Sequence, residues 1–221
     1  MRPAPFASLR PLFGITDEQM MWRVRMQDDE GAFARLVRRW EAPIQRLCER
    51  MTGDVHRGED LTQDTFVRVF ARRKDYRPEG KFSTWLWRIA LNLCYDELRR
   101  RQRRQEFSLE DEIGESTAQL EGATAPEPAP DRALAQHEQA ELVRVALGRL
   151  PEAYRTVLVL RHYENLKFRE IAEVLEVPEG TVKSRMAEAL EQMSRLLRPA
   201  IESKPGAKSM PREQAKESLM L

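Results

Sequence analysis

The feature that most constrains this chain is a break in its hydrophobic periodicity. Over residues 105–138 the helical spacing of apolar positions stops, and nine acidic residues stand against a single basic one, Arg132. The same stretch carries Ala-Pro-Glu-Pro-Ala-Pro at 125–130, with glycines at 114 and 122. Proline removes backbone donors, and so few apolar side chains leave little to bury. The segment therefore reads as an acidic flexible linker without a core of its own. It divides a chain of 221 residues into two parts, each long enough for one small domain.

Charge follows the same division. Residues 1–104 hold 22 basic and 15 acidic side chains, residues 139–200 hold 10 and 9, and residues 201–221 hold 4 and 3. The net charge of +1 thus conceals a positive front part beside a negative linker. A positive module suits a phosphate-bearing partner, and a solvated, highly charged helical surface is the alternative.

Both flanking parts read as helical. Thr16 with Gln19 three residues on forms a capping-box signature. Phe33, Leu36, Val37, Trp40, Ile44, Leu47, Cys48 and Met51 follow one helical stripe that Thr52-Gly53-Asp54 should end. A third helix carries Leu61, Thr65, Phe66, Val69 and Phe70, and a polar loop with Pro78 and Gly80 follows. A fourth helix buries Phe82, Trp85, Leu86, Ile89, Leu93 and Leu98, and runs out into Arg99, Arg100, Arg101, Arg103 and Arg104. Beyond the linker, Leu142, Val145, Ala146 and Leu150 make another stripe, and Pro151 fits the first turn of the next helix. The expected fold is all-α, with two small helical domains at 16–104 and 139–200. An N-terminal extension (1–15) and a flexible tail (201–221) flank them.

Several classes drop out. No run of about 18 apolar residues exists, so no membrane insertion is expected. The first 15 residues lack the long apolar stretch of a signal peptide. Cys48 and Cys94 lie inside helical patterns and fit a reducing cytoplasm. His56, His137 and His162 are isolated, so no metal site is expected. No glycine-rich phosphate loop, nucleophile motif or carboxylate pair supports catalysis, so no cofactor and no catalytic residue are expected.

Phe168 to Leu190 is the most specific local pattern. Ile171, Ala172 and Leu175 form one short apolar face, Glu176-Val177-Pro178 makes a turn, and Val182, Met186, Leu190, Met193 and Leu197 form a second face. The outer start of the second helix carries Glu179, Thr181, Lys183, Ser184 and Arg185. A helix that packs on one side and offers polar side chains at its N-terminal outer side can enter a DNA major groove. The same spacing also suits a plain bundle corner, and taken alone it fits a stand-alone operator-binding regulator.

These residues resemble a family. Leu150-Pro151-Glu152-Ala153-Tyr154-Arg155, Glu170-Ile171-Ala172-Glu173 and Pro178-Glu179-Gly180-Thr181-Val182-Lys183-Ser184-Arg185 resemble the promoter-reading C-terminal domain of bacterial sigma factors. In the front part, Glu59-Asp60-Leu61-Thr62-Gln63-Asp64-Thr65-Phe66 resembles their core-polymerase-binding helix. Phe82-Ser83-Thr84-Trp85-Leu86-Trp87-Arg88-Ile89-Ala90-Leu91-Asn92-Leu93, continued by Asp96-Glu97-Leu98-Arg99-Arg100, resembles their −10 helix. The order of motifs and the acidic linker are similar to the compact two-domain factors of the extracytoplasmic-function group of the sigma-70 family. The resemblance covers roughly 16–200.

The resemblance implies a protein that binds core RNA polymerase, locates promoter DNA and helps to open it, for an alternative stress or envelope-signal regulon, with an anti-sigma factor as a candidate partner. It makes 16–104 the domain for polymerase and the −10 element, and 139–200 the domain for the −35 element. Asp60, Gln63 and Asp64 share a helical face and are implied in polymerase binding. Tyr76, Trp87, Arg88, Asn92, Arg99, Arg100, Arg101 and Arg103 are implied at the −10 element. There Tyr76 and Asn92 would hold an extruded base and the arginines would take phosphates. The Phe82–Trp85–Ile89 stripe puts Trp85 in the core and leaves Trp87 for DNA. Lys183 and Ser184 are implied as −35 base contacts, and Thr181 and Arg185 as phosphate contacts. Ala187 and Glu188 depart from the family pattern. Glu188 repels phosphate; it can accept a hydrogen bond from cytosine or face away from the DNA.

Overall fold

The computed structural model describes residues 15–111 and 130–202. The N-terminal extension up to residue 14, the middle of the linker and the tail beyond residue 202 lie outside the described residues. Among the described residues there is no strand, and no helix is long and apolar enough to cross a membrane. The front part consists of α1 (Asp17–Gln27), α2 (Glu30–Thr52), α3 (Val55–Ala71) and α4 (Phe82–Asp111). The rear part consists of α5 (Pro130–Arg149), α6 (Glu152–Leu158), α7 (Phe168–Leu175) and α8 (Glu179–Glu202). The residues 105–111 and 130–138, read from sequence as linker, continue α4 and begin α5.

Local chemistry sets the element ends. Thr16 Oγ1 accepts from the Gln19 amide at 3.3 Å while Gln19 Oε1 accepts from the Thr16 amide at 3.1 Å, closing the capping box. Gly53 ends α2 with φ of 73°, a left-handed conformation that glycine adopts without a Cβ penalty. Asp54 then starts α3 by accepting from the Arg57 amide at 3.0 Å. Gly58 answers to a different need. A Cβ there would lie 2.5 Å from Glu49 Cγ and 3.0 Å from the Glu49 amide nitrogen, so α2 and α3 can approach this closely only over glycine.

The front core gathers Met20, Met21, Val24, Leu36, Ile44, Leu47, Met51, Phe82 and Leu86, all fully buried. The two free cysteines meet in it, Cys94 Sγ donating to Cys48 Sγ at 3.7 Å. An ionic staple crosses its far end. Glu97 accepts from Arg57 Nη2 at 2.8 Å, and Asp54 pairs with Arg101 at 2.7 Å. In the rear core, Val157, Leu158, Val159, Leu160, Ile171, Val182, Met186 and Ala189 are buried. The turn Val159–Tyr163 is π-helical, and α6 is covered almost all round. On α5 the predicted stripe shifts: Leu142 is exposed and Leu147 is buried.

Candidate polymerase and promoter interface

On α3 the buried face is Leu61, Thr62, Thr65, Phe66 and Val69. The two threonines return their hydroxyls to the helix, Thr62 Oγ1 donating to Gly58 O at 2.7 Å and Thr65 Oγ1 to Leu61 O at 2.6 Å. That leaves Asp60, Gln63 and Asp64 together on the outer face, as their i, i+3, i+4 spacing requires. Val67 continues the same face at 67% exposure.

The structure redistributes the −10 candidates on α4. Tyr76, in the loop before α4, is buried. It is 1% exposed, its hydroxyl donates to Gly80 O at 3.0 Å, and its ring packs against Phe82 and Trp85. Burial pushes its phenol well above the ordinary tyrosine range. It holds the 77–81 loop in place. Trp87 is also withdrawn, at 3% exposure, edge-on to Trp40 with ring centroids 5.7 Å apart. Trp85 is only half-buried and takes the position expected of Trp87. The physical reason is helical phase. Trp85, Asn92 and Arg99 are seven residues apart and share a face, whereas Trp87 points back toward α2. A period-seven reading of the sequence from Asn92 places Trp85 on this outer face.

Asn92, Arg99, Arg100 and Arg103 are all exposed, and with Asp96 they form one outer stripe on α4. Arg101 is not part of it. Its guanidinium donates to Thr52 O at 3.1 Å and to Asp54 Oδ2 at 2.7 Å, so it ties α4 to the junction of α2 and α3. Arg88 lies at the edge of the stripe, but the rear domain occupies it. Nη2 donates to Glu173 O at 2.8 Å, Nε to Val174 O at 3.3 Å, and Nη1 meets Glu176 Oε1 at 2.7 Å.

α8 begins as a recognition helix should. Val182, Met186, Ala189 and Met193 pack inward, and Lys183 and Ser184 are exposed. Glu176, left-handed at φ 55°, makes the turn after α7, where Pro178 keeps the chain from continuing as helix. The outer residues are largely engaged among themselves. Lys183 pairs with Glu179 at 2.7 Å, Ser184 Oγ donates to Thr181 O at 3.0 Å, and Glu188 accepts from Gln192 at 2.9 Å. Thr181, Arg185 and Glu188 are half-buried.

A polar seam joins the two parts. Glu164 faces Arg46 at 3.4 Å and Arg50 at 3.9 Å, and Lys81 pairs with Glu170 at 3.1 Å. Two arginines of the rear part also reach across it. Arg155 donates to Met51 O, and Arg144 donates to Gly53 O at 2.9 Å, both at the carbonyl end of α2. Tyr95 and Thr156 share a hydroxyl–hydroxyl bond of 2.9 Å. Between the parts lies a cavity of about 350 Å³ lined in part by Trp40, Lys81, Trp87, Glu164 and Glu170. Burial raises the Glu164 carboxyl above its ordinary range, against the pull of Arg46 and Arg50.

Comparison with known proteins identifies the two parts. Residues 36–104 match the family described as Sigma-70 region 2, and residues 140–193 match Sigma-70, region 4. The chain is 34% identical to the ECF RNA polymerase sigma factor SigW of Bacillus subtilis, over 81% of its own length and 98% of that protein's. It is 34% identical to the RNA polymerase sigma-H factor of Pseudomonas aeruginosa, over 84% and 95%. It is also 31% identical to the ECF RNA polymerase sigma-E factor of Escherichia coli, over 85% and 97%. Its fold is similar to that of CnrH in complex with the cytosolic domain of CnrY, with a TM-score of 0.61 at 24% identity, covering 83% of this chain and 97% of that one. A similar likeness holds for the sigma factor RpoE in complex with the anti-sigma factor NepR from Bartonella quintana, with a TM-score of 0.59 at 22% identity, covering 75% and 96%.

Proposed function

This chain belongs to the extracytoplasmic-function group of the sigma-70 family and directs transcription initiation for an alternative regulon, and from that premise we propose how its surfaces divide the work. Asp60, Gln63 and Asp64, with Val67 beside them, dock on core RNA polymerase. The carboxylates suit arginines on the partner, and Val67 gives the interface an apolar centre. The observation that carries this reading is the exposure of Val67 at 67% in line with two carboxylates.

The α4 stripe engages the −10 element. Arg99, Arg100 and Arg103 take phosphates and fix register, and Asn92 supplies an amide for an exposed base edge. Trp85 supplies the aromatic surface on which an unpaired base stacks. The start of α8 reads the −35 element through Lys183 and Ser184. That part, residues 139–200, binds DNA weakly alone and relies on tethering to polymerase, which raises its effective concentration. The sigma factor contributes no chemistry to nucleotide addition, which belongs to the polymerase. An anti-sigma protein is a fitting regulatory partner, since the fold is similar to that of a sigma factor solved in complex with an anti-sigma factor. Reconstituted run-off transcription with core polymerase on genomic fragments tests the whole reading. Transcripts dependent on the protein and sharing upstream sequence are expected. Core binding lost in Asp60→Arg/Asp64→Arg but kept in Arg99→Ala would separate the two surfaces, and equal core binding by both variants would refute the docking face.

A further inference from the structure

We propose that the cavity lined by Trp40, Lys81, Trp87 and Glu164 is a small-molecule site for a guanine mononucleotide, with Glu164 taking the base and Lys81 and Ser83 the phosphate. The site uses none of the residues assigned above to polymerase or DNA. Its volume of about 350 Å³ lies at the small end of the roughly 300–1,000 Å³ of ligand pockets, which suits a mononucleotide rather than a larger cofactor. One lining group is left unsatisfied by the fold. The Glu164 side chain is 3% exposed, yet its Oε1 has no hydrogen-bond partner among the described residues. Arg46 donates to the other oxygen, Oε2, at 3.4 Å. Arg50 stays 3.9 Å from Oε1, outside hydrogen-bond reach, with its guanidinium over the Tyr163 ring at 4.0 Å. A buried carboxylate oxygen without a donor keeps its full desolvation cost. A ligand that brings N–H groups to this oxygen removes that cost.

The rest of the lining narrows the class of ligand. A simple anion would be repelled by Glu164 and Glu170, and a simple cation by Arg46 and Lys81, all of which line the cavity. A neutral donor edge joined to an anionic group answers both. Trp40 and Trp87 stand edge to face at 85°, so they offer two perpendicular aromatic walls to a flat ring. Guanine is the base whose N1–H and 2-amino group lie side by side and give a carboxylate two parallel donors. Adenine, cytosine and uracil each place an acceptor next to the donor. For the phosphate, Lys81, Ser83 and Thr84 line the cavity at the start of α4, where the dipole of this 30-residue helix is positive. Lys81 meets Glu170 at 3.1 Å but keeps 49% of its side chain in solvent, so phosphate reaches the ammonium without displacing a buried partner. The unsatisfied acceptor and the phosphate-binding cation are therefore separate features of one lining.

Equilibrium dialysis of the full chain against GMP, IMP and AMP, with no polymerase or DNA present, tests the site. IMP lacks only the 2-amino donor, and AMP presents one donor beside an acceptor. GMP should bind about tenfold tighter than either, which is the worth of one charged hydrogen bond. Equal affinities for the three reduce the site to a phosphate contact and overturn the guanine assignment. No GMP bound at millimolar concentration overturns the site itself. These comparisons on the wild type stand whether or not a variant folds. Glu164→Gln keeps the shape but sets an amide donor against the guanine edge, so it should abolish the preference for GMP over IMP. A preference that survives overturns the role of Glu164. Lys81→Ala/Ser83→Ala should weaken GMP about fivefold and leave guanosine, which has no phosphate, unchanged. An equal loss for guanosine, or no loss for GMP, overturns the phosphate end.

Discussion

The two helices assigned to promoter contact are built on opposite terms. The outer stripe of α4 presents Arg99, Arg100 and Arg103 with one acid, Asp96, 3.8 Å from Arg99. At the start of α8, Lys183 is paired with Glu179 one turn away, and Glu188 accepts from the neutral Gln192 amide on the same helix. Exposed cations in excess bind phosphate through counterion release, whereas a cation already paired must first give up its partner. On the function proposed above, this difference has the front domain hold DNA by charge and the rear domain supply position and sequence once polymerase has brought it close.

The sharpest way to break this comparison is at the two tryptophans. Trp87→Ala should destabilise the protein by about 3 kcal/mol or more, because a fully buried indole is removed from the packing against Trp40. Trp85→Ala should cost less, about 1–2 kcal/mol, because the half-buried ring still packs on Tyr76 and Phe82, and it should lower promoter opening. The reverse pattern would return Trp87 to the DNA face.

The next effect concerns what holds the α4 stripe in place. Glu97→Ala should cost about 2 kcal/mol in urea unfolding, since it removes a charged hydrogen bond from Arg57. The cost stops short of that for a fully buried pair because the Arg57 side chain is 34% exposed and finds water. The Arg57 side chain holds the Glu97 carboxyl below its ordinary 4.5, and the Arg57 amide holds Asp54 below its ordinary 3.8. Lowered acids stabilise the fold above their ordinary values and lose that contribution as pH falls through their folded values. The urea midpoint should therefore be flat near neutrality and decline below about pH 4.5, and Glu97→Gln should flatten that decline.

Smaller effects sharpen the contrast. Arg99→Ala/Arg100→Ala/Arg103→Ala should weaken promoter binding by the holoenzyme about tenfold and reduce its salt slope by about one for each phosphate no longer neutralised. Lys183→Ala should change sequence preference at the −35 element more than the slope. Tyr76→Phe should cost about 1 kcal/mol by removing the bond to Gly80 O and should leave transcription intact at ambient temperature. Glu188→Gln should tighten −35 binding by about twofold by relieving repulsion of phosphate. Weaker binding would instead mark Glu188 as a direct reader of a base.

Much of the fold and some of the exposed faces are legible in the sequence, for reasons that are local. The capping box at Thr16, the stop at Gly53, the polar face of Asp60, Gln63 and Asp64, and the turn before α8 depend on neighbours within four residues, which sequence displays directly. Tyr76, Trp87 and Arg101 escape such a reading because each is decided by a distant element. Tyr76 is covered by Phe82 and Trp85, Trp87 by Trp40, and Arg101 is drawn to Thr52 and Asp54. An arginine in a run of arginines carries no sign of which one turns inward.

The amino-acid order alone determined the helical content, the acidic division between two domains and the family of promoter-directing proteins to which the chain belongs, because helix phase, capping and motif order are properties of consecutive residues. Only the tertiary structure decided which aromatic faces outward on α4, and that Arg88, free on paper, is held by the carbonyl end of α7. Those outcomes depend on contacts between residues as far apart as Arg88 and Glu173, and no local pattern encodes which orphan carbonyl will find which guanidinium.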